Sequence, residues 1–474
     1  MENQSQYRGS ATSRSNTPQP PGTPESRSDP FHDQITPVAQ ASGSNPFGTP
    51  FGSRPASSFG SSSAVRGALP SRYFHSRRVR KGEVEKPWLD KKDPKEKWVT
   101  IIPLIGLLLG FGVAGFLIYD GLSSVVHHKY CQVMTDDFSS GTLNPDIWTM
   151  EQEVGGFGNG QFEQTTADPE NVFIQDGKLI IKPTLQDEAL ITSNTVINLT
   201  TDGTCTSDVP KNCAAVTNVT AGTIVPPVRS GRINTKKGGV IRYGRVEVTA
   251  KLPSGDWLWP AIWMLPVNDT YGVWPKSGEI DIAESRGNNY TYAQGGNNIV
   301  SSALHWGPDS ANDAWWRTNV KRSALHTTYA ATEHTFGVEW SQKYLFTYIN
   351  TRLLQVLYTN FNKPLWQRGG FPLSDSNGTR LDDPWSYTSR DQTPFDAEFY
   401  LILNVAVGGT NGWFEDGKSG KPWLDGSPTA KADFWSQRNQ WLPTWQEKGA
   451  GQMTVSKVTM WQQCDGDENA AVNH

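Results

Sequence analysis

The densest run of chemistry-bearing side chains is the string Ser277-Gly278-Glu279-Ile280-Asp281-Ile282-Ala283-Glu284-Ser285. Acidic and apolar residues alternate along it, so on an extended strand Glu279 and Asp281 project to one face while Ile280 and Ile282 enter a core. Carboxylates this close repel one another, and no Lys or Arg is interleaved to neutralise them. Crowding of that kind separates pKa values, as a pair of carboxyls needs when one must be ionised while the other carries a proton. Glu284 breaks the alternation: five positions from Glu279, it belongs on the opposite face of a regular strand. One extra residue, a β-bulge near Ile282 or Ala283, returns it to the same face. The two glutamates then flank Asp281 with their carboxyls about 5 to 5.5 Å apart, the separation used by retaining glycosidases. In such a pair one carboxyl would act as nucleophile and the other as acid and then as base. A bare E-x-D-x-x-E string is more often a solvated surface strand, so its surroundings must decide.

Upstream runs Asp256-Trp257-Leu258-Trp259-Pro260-Ala261-Ile262-Trp263-Met264-Leu265-Pro266, and downstream Leu304-His305-Trp306-Gly307-Pro308. With Trp274-Pro275-Lys276 before the acidic string, Arg286-Gly287 after it and Leu403-Asn404-Val405-Ala406-Val407-Gly408-Gly409 further on, the chain resembles glycoside hydrolase family 16, in its laminarinase and β-1,3-glucan-recognition branch. Gly156-Phe157-Gly158-Asn159-Gly160 and Ser230-Gly231-Arg232-Ile233 fit the same pattern, and the resemblance covers about Asp137 to Gln462. It implies an all-β, concanavalin A-like jelly-roll sandwich with a sugar cleft on its concave sheet. It also implies Glu279 as nucleophile, Glu284 as acid/base and Asp281 as assisting carboxylate, in agreement with the geometric argument. Substrate stacking would fall to Trp259 and Trp263, and hydrogen bonding to Asn159, Arg232, His305 and Asn404. Each has a plainer reading. One of the two Trp is core; His305 braces Glu284; Asn404 is a satisfied interior amide; Arg232 pairs with a carboxylate for structure alone. Some members of the family bind a structural calcium, but no Asp-rich ligand loop is legible here, and no metal or other cofactor is expected at the site. Three functions stay open: a retaining endo-β-1,3-glucanase or β-1,3(4)-glucanase, a glucan-remodelling transglycosylase, and a non-catalytic β-glucan receptor.

The elements that must position these residues read as strands. Val172–Gln175 and Lys178–Lys182 flank Asp176-Gly177, the turn pair that right-twisted hairpins prefer. Tyr243–Leu252 alternates, with Val246, Val248, Ala250 and Leu252 on one face, and Phe399–Val407 is a near-continuous apolar run suited to a strand covered on both sides. No long 3.6-residue stripe follows residue 119, so one sandwich of short strands is expected. None of the four cysteines lies in a C-x-x-C pair, which argues against zinc or thiol exchange. Pairing Cys205 with Cys213 and Cys131 with Cys464 would close one loop and staple the ends of the domain. Ile197–Val228 reads as an enlarged loop able to shape entry to the cleft if it overhangs it.

Nineteen Trp, fourteen Tyr and nineteen Phe suit both a β core and a sugar site, while a net charge of -4 gives no electrostatic reason to expect nucleic acid. Ser, Pro and Gly make up 31 of the first 70 residues, too polar a stretch to fold alone. Ten Lys or Arg against five acids between Arg72 and Lys97 precede Trp98–Tyr119, 22 residues without a charge. That run is long enough to cross a bilayer, and the basic flank predicts a cytosolic N-terminus. The expected order is a disordered cytosolic tail (1–71), a basic juxtamembrane segment (72–97), one transmembrane helix (98–119), a lumenal or extracellular domain (131–464) and a C-terminal tail (465–474). Five N-x-S/T acceptors, Asn198, Asn218, Asn268, Asn289 and Asn377, lie on the predicted lumenal side. The expected partners are thus β-glucan and a membrane; oligomeric state is not legible.

Overall fold

The computed structural model describes residues 77–91, 93–124, 128–375 and 377–464. The expected polar tail (1–71) and C-terminal tail (465–474) lie outside them.

Two large sheets make up the domain, and neighbouring strands within each are antiparallel. One sheet runs in the order Gln355–Asn360, Tyr344–Ile349, His334–Trp340, Gly244–Lys251, Met453–Gln463, Lys178–Ile181, Val172–Gln175, with Tyr130–Asp136 also paired to Met453–Gln463. The other runs Asn319–Ser323, Ile299–His305, Glu279–Ser285, Leu258–Pro266, Phe399–Val407, Arg232–Asn234, Thr149–Met150. This is the expected all-β jelly-roll sandwich. Alternation builds its core: Val246, Val248 and Ala250 are fully buried while Arg245, Glu247 and Thr249 between them are half-exposed. They meet Ile262, Met264, Ile280, Leu401 and Leu403 of the facing sheet in one apolar cluster. Each such side chain stabilises the fold by about 1.5–3 kcal/mol through removal from water. Phe399–Val407 is buried along its whole length, as its composition demands. Asp176 and Gly177 both adopt positive φ, +53° and +66°, which the two-residue hairpin turn requires.

The apolar helix spans Glu96–Ser124 and contains the uncharged run 98–119. By length and composition its segment Glu96–Gly121 suffices to cross a membrane. The stretch expected as an enlarged loop is a small folded excursion. Val196–Asn198 pairs with Ala214–Val216, Cys205 is bonded to Cys213, and Ile197, Leu199 and Val225 share a separate apolar cluster with Val154, Ile191 and Trp435. Backbone bonds from Thr206 to Gln152 (3.1 Å) and from Val154 to Asn212 (2.8 Å) tie it to the segment beside Arg232–Asn234.

Cys131 is bonded to Cys464, 333 positions away, and all five sequon asparagines are exposed. Replacing Cys131 and Cys464 together by Ser should cost about 2–5 kcal/mol of stability, and the equivalent pair at Cys205 and Cys213 less, because its loop is short. Urea unfolding of the two variants would check the order; equal loss from both would contradict it.

Candidate active site

The acidic strand, Glu279–Ser285, lies between the tryptophan strand, Leu258–Pro266, and the histidine strand, Ile299–His305. Trp263 pairs with Asp281 and Ile262 with Ala283, so Ile282 has no partner on that side. On the other side Asp281 pairs with Ala303 and Glu284 with Ser301, three steps against two. The extra residue is therefore at Ile282–Ala283, where the spacing of the acids requires it. Directly paired residues share a face, so Glu279, Asp281 and Glu284 project together with His305, Ala303, Ser301, Trp263 and Ala261. Ile280 and Ile282 are buried on the other side. Gly278 makes the entry: its φ is +84°, and a Cβ there would meet Pro394 and Phe395 at 3.1 and 3.2 Å. A side chain at this position would strain the turn that delivers Glu279 to the cleft.

The two glutamates sit in unlike settings. Glu284 accepts a hydrogen bond from the Trp259 indole (2.9 Å), and burial raises its carboxyl to about 7 against the lowering effects of His305 and that bond. Glu279, partly buried like Glu284, accepts instead from the indole of Trp274 (2.6 Å), itself 43% exposed. Asp281 between them is pushed well above the usual carboxylate range by burial and by the charges of Glu279 and Glu284. His305 is gripped from both sides, Nε2 lying 3.1 Å from Asp281 and Nδ1 2.5 Å from Asp313. Burial alone would push its pKa down; Asp281, Glu279 and the bonds to Asp281 and Asp313 override this and hold it well above its ordinary value. Glu279, Asp281 and His305 bring potential ligand atoms within 4.8 Å of one another. Both ring nitrogens of His305 are already engaged by carboxylates, so the cluster reads as a proton-sharing network.

Several of the side chains expected to contact substrate are engaged by neighbouring protein groups. Trp259 does project to the cleft face, but it is only 7% exposed and Trp413 stacks on it at 4.6 Å. It holds Glu284 and offers a sugar no open ring. His305 braces Asp281, where the sequence offered a sugar or Glu284 as its partner. Arg232 pairs with Glu151 (2.7 Å) and lies over the rings of Phe157 (4.0 Å) and Trp263 (4.8 Å). Asn404, paired in register with Arg232 and Ala261, accepts from the Trp263 indole (2.8 Å). Arg232, Asn404 and Trp263 thus lie on the same face, Arg232 and Asn404 each engaging the Trp263 ring. Asn159 receives the amide of Asn411 on its side chain (3.1 Å) and the Thr410 N–H on its carbonyl (2.9 Å), fixing the loop that leads to Trp413.

Other residues at the site escaped the sequence reading. Trp274 and Trp315, each 43% exposed, bracket His305 with ring centroids 5.6 and 6.3 Å away. The Trp315-Trp316 pair in a polar loop was a usable signal for an aromatic platform. Asp313 and Glu151 carried none, and Arg286 entered only as part of the motif that follows the acidic string. Arg286 donates twice to the Trp413 carbonyl (3.0 and 2.6 Å) and lies over its ring at 4.0 Å, supporting the Trp413–Trp259–Glu284 stack from beneath.

The family described as Glycosyl hydrolases family 16 matches residues 183–375. A Beta-1,3-glucan-binding protein of Penaeus monodon is 39% identical over 344 residues, spanning 70% of this chain and 90% of that one. Glucan endo-1,3-beta-glucosidase A1 of Niallia circulans is 28% identical over 300 residues, 60% of this chain and 35% of its own. The laminarinase of Rhodothermus marinus, a solved structure at 24% identity, gives a TM-score of 0.43 over 72% of this chain and 100% of that one.

The raised carboxyl of Glu284 has a measurable sign. Folded, it keeps its proton to about pH 7; unfolded, it releases it near the ordinary 4.5, so between these values the native state binds more protons and stability falls as pH rises. Glu284→Gln should therefore melt at a higher temperature than the parent at about pH 8 and converge with it below about pH 4. Identical melting curves at both pH values would mean that the site does not hold this proton.

Proposed function

The chain belongs to glycosyl hydrolase family 16, and on that premise we propose that it is a retaining endo-β-1,3-glucanase, or β-1,3(4)-glucanase, acting on cell-wall glucan. The observation that carries this reading is the pair Glu279 and Glu284, turned to one face by the bulge and set in unlike surroundings. Glu279 attacks the anomeric carbon as Glu284, protonated below about pH 7, gives its proton to the departing glycosidic oxygen. Glu284, now a carboxylate, takes a proton from the incoming water, whose oxygen displaces Glu279 from the sugar. Asp281 and His305 keep the local charge in balance while Glu279 goes from anion to ester. Trp274 and Trp315, each 43% exposed and beside His305, are the rings on which a sugar face would stack. The segment from Glu96 to Gly121 would anchor the chain as a type II membrane protein, its basic N-terminal flank in the cytosol and the β domain lumenal or extracellular.

A specific finding favours a second reading. The Penaeus monodon relative, which this chain matches over 90% of that protein's length, is named for binding β-1,3-glucan, so a glucan receptor is the rival. A third outcome has a sugar acceptor replace water, so that the chain remodels glucan.

With linear β-1,3-glucan, hydrolysis should create new reducing ends, and transfer should create products longer than the starting oligosaccharide. Glu279→Ala and Glu284→Ala should each lower turnover by several orders of magnitude while leaving the circular dichroism spectrum unchanged. Glucan binding without turnover in the unmodified chain would select the receptor reading.

Trp274→Ala and Trp315→Ala should weaken glucan affinity roughly two- to tenfold each, whichever reading holds. Titration calorimetry against a β-1,3-oligosaccharide checks this; full affinity in both variants would remove the two rings from the binding surface.

A further inference from the structure

Both chain ends of the β domain and three long loops emerge at the same end of the sandwich. Tyr130 pairs with Gln463, and Gly244 with Gln462 and Trp340, which marks that end in the first sheet. In the facing sheet Pro266 and Ile241 both pair with Phe399, and Ile241 is joined to Gly244 through Arg242 and Tyr243 alone. The loops 267–278, 306–318 and 361–398 leave and re-enter the sheets at this level, since Glu279 pairs with His305 and Asn360 with Tyr344. The tether arrives here too. Ser124 closes the apolar helix and Tyr130 opens the domain, six residue steps that span at most about 20 Å.

The loops at this end carry large apolar side chains that the fold leaves uncovered: Val273, Trp316, Leu373 at 90% exposure and Tyr387 at 71%. Trp274 and Trp315 lie on the same loops but turn toward Glu279 and His305, so they belong to the cleft. We propose that the rim formed by Val273, Trp316, Leu373 and Tyr387 docks onto the interfacial layer of the bilayer that holds the helix. Indole and phenol rings favour that depth, where an apolar body is buried and a polar edge stays wet. A tether this short keeps the rim at a high effective concentration over the lipid, so four shallow side chains suffice where a free domain would dissociate. The consequence is orientation: Glu279 starts its strand at the docked end and Glu284 lies farther from it, so the cleft is held beside the lipid surface. The inference rests on the membrane-anchor reading above.

All four cysteines are in disulfides, so a new cysteine gives a single labelling site. Leu373→Cys and Tyr387→Cys report on the rim, and Leu353→Cys, 95% exposed in the turn between Tyr344–Ile349 and Gln355–Asn360 at the opposite end, is the control. The full chain, labelled with an environment-sensitive fluorophore, is reconstituted into phosphatidylcholine vesicles with a nitroxide-bearing headgroup lipid, and the vesicles are floated. The expected result is flotation, with quenched and blue-shifted emission at positions 373 and 387 and unquenched emission at 353. Flotation with all three labels equally unquenched overturns the docking while leaving the anchor standing. Failure to float overturns both.

Discussion

A single unpaired residue in the acidic strand governs the chemistry of this domain. Extended chain repeats every two residues, so an odd spacing between two side chains sends them to opposite sides of a sheet. Ile282, without a partner across from the tryptophan strand, converts that odd spacing into an even one. The carboxyls on either side of it then meet over one groove while the apolar residues between them stay in the core. A regular ladder with the same acids would bury one of them against Ile262 and Leu401, where nothing answers its charge.

Bringing three carboxyls together on a buried floor is electrostatically unfavourable, and the fold answers it with an imidazole. His305 sits where its strand pairs with Glu279, and its ring is clamped between Asp281 and Asp313. A protonated ring held there offsets repulsion among the acids without bridging the two glutamates, so Glu279 and Glu284 remain free to differ. Their indole partners come from different elements: Trp274 from the loop before the acidic strand, Trp259 from the neighbouring strand. Trp259 is locked in turn by Trp413 and Arg286. One carboxyl is therefore held by a packed, stacked indole and the other by an indole that is itself 43% exposed.

Local pattern carried a good part of this architecture. The Asp176-Gly177 hairpin, the alternation of Gly244–Lys251 and the fully buried Phe399–Val407 are all periodic signals, and even the bulge follows from counting the positions between Glu279 and Glu284. Contacts between residues distant in sequence left no such trace. Asp313 grips His305 from a loop of irregular backbone, and Glu151 reaches Arg232 from some eighty positions away. Alternation identified the face on which Trp259 lies but is silent on what covers that face, which is why a wedged positioning residue was expected to be an open stacking platform. The excursion through Cys205 and Cys213 folds around its own small core, and polar, sequon-bearing composition disguised that core as loop.

The bond between Cys131 and Cys464 bears on mechanics as well as on stability. The chain enters the domain at Tyr130, so any pull on the segment before it reaches the sheet through that first strand. Without the crosslink, such a load would peel Tyr130–Asp136 away one backbone bond at a time, the weakest direction for a sheet edge. With it, tension crosses after a single residue into Met453–Gln463, a strand flanked on both sides, and is spread as shear across the sheet.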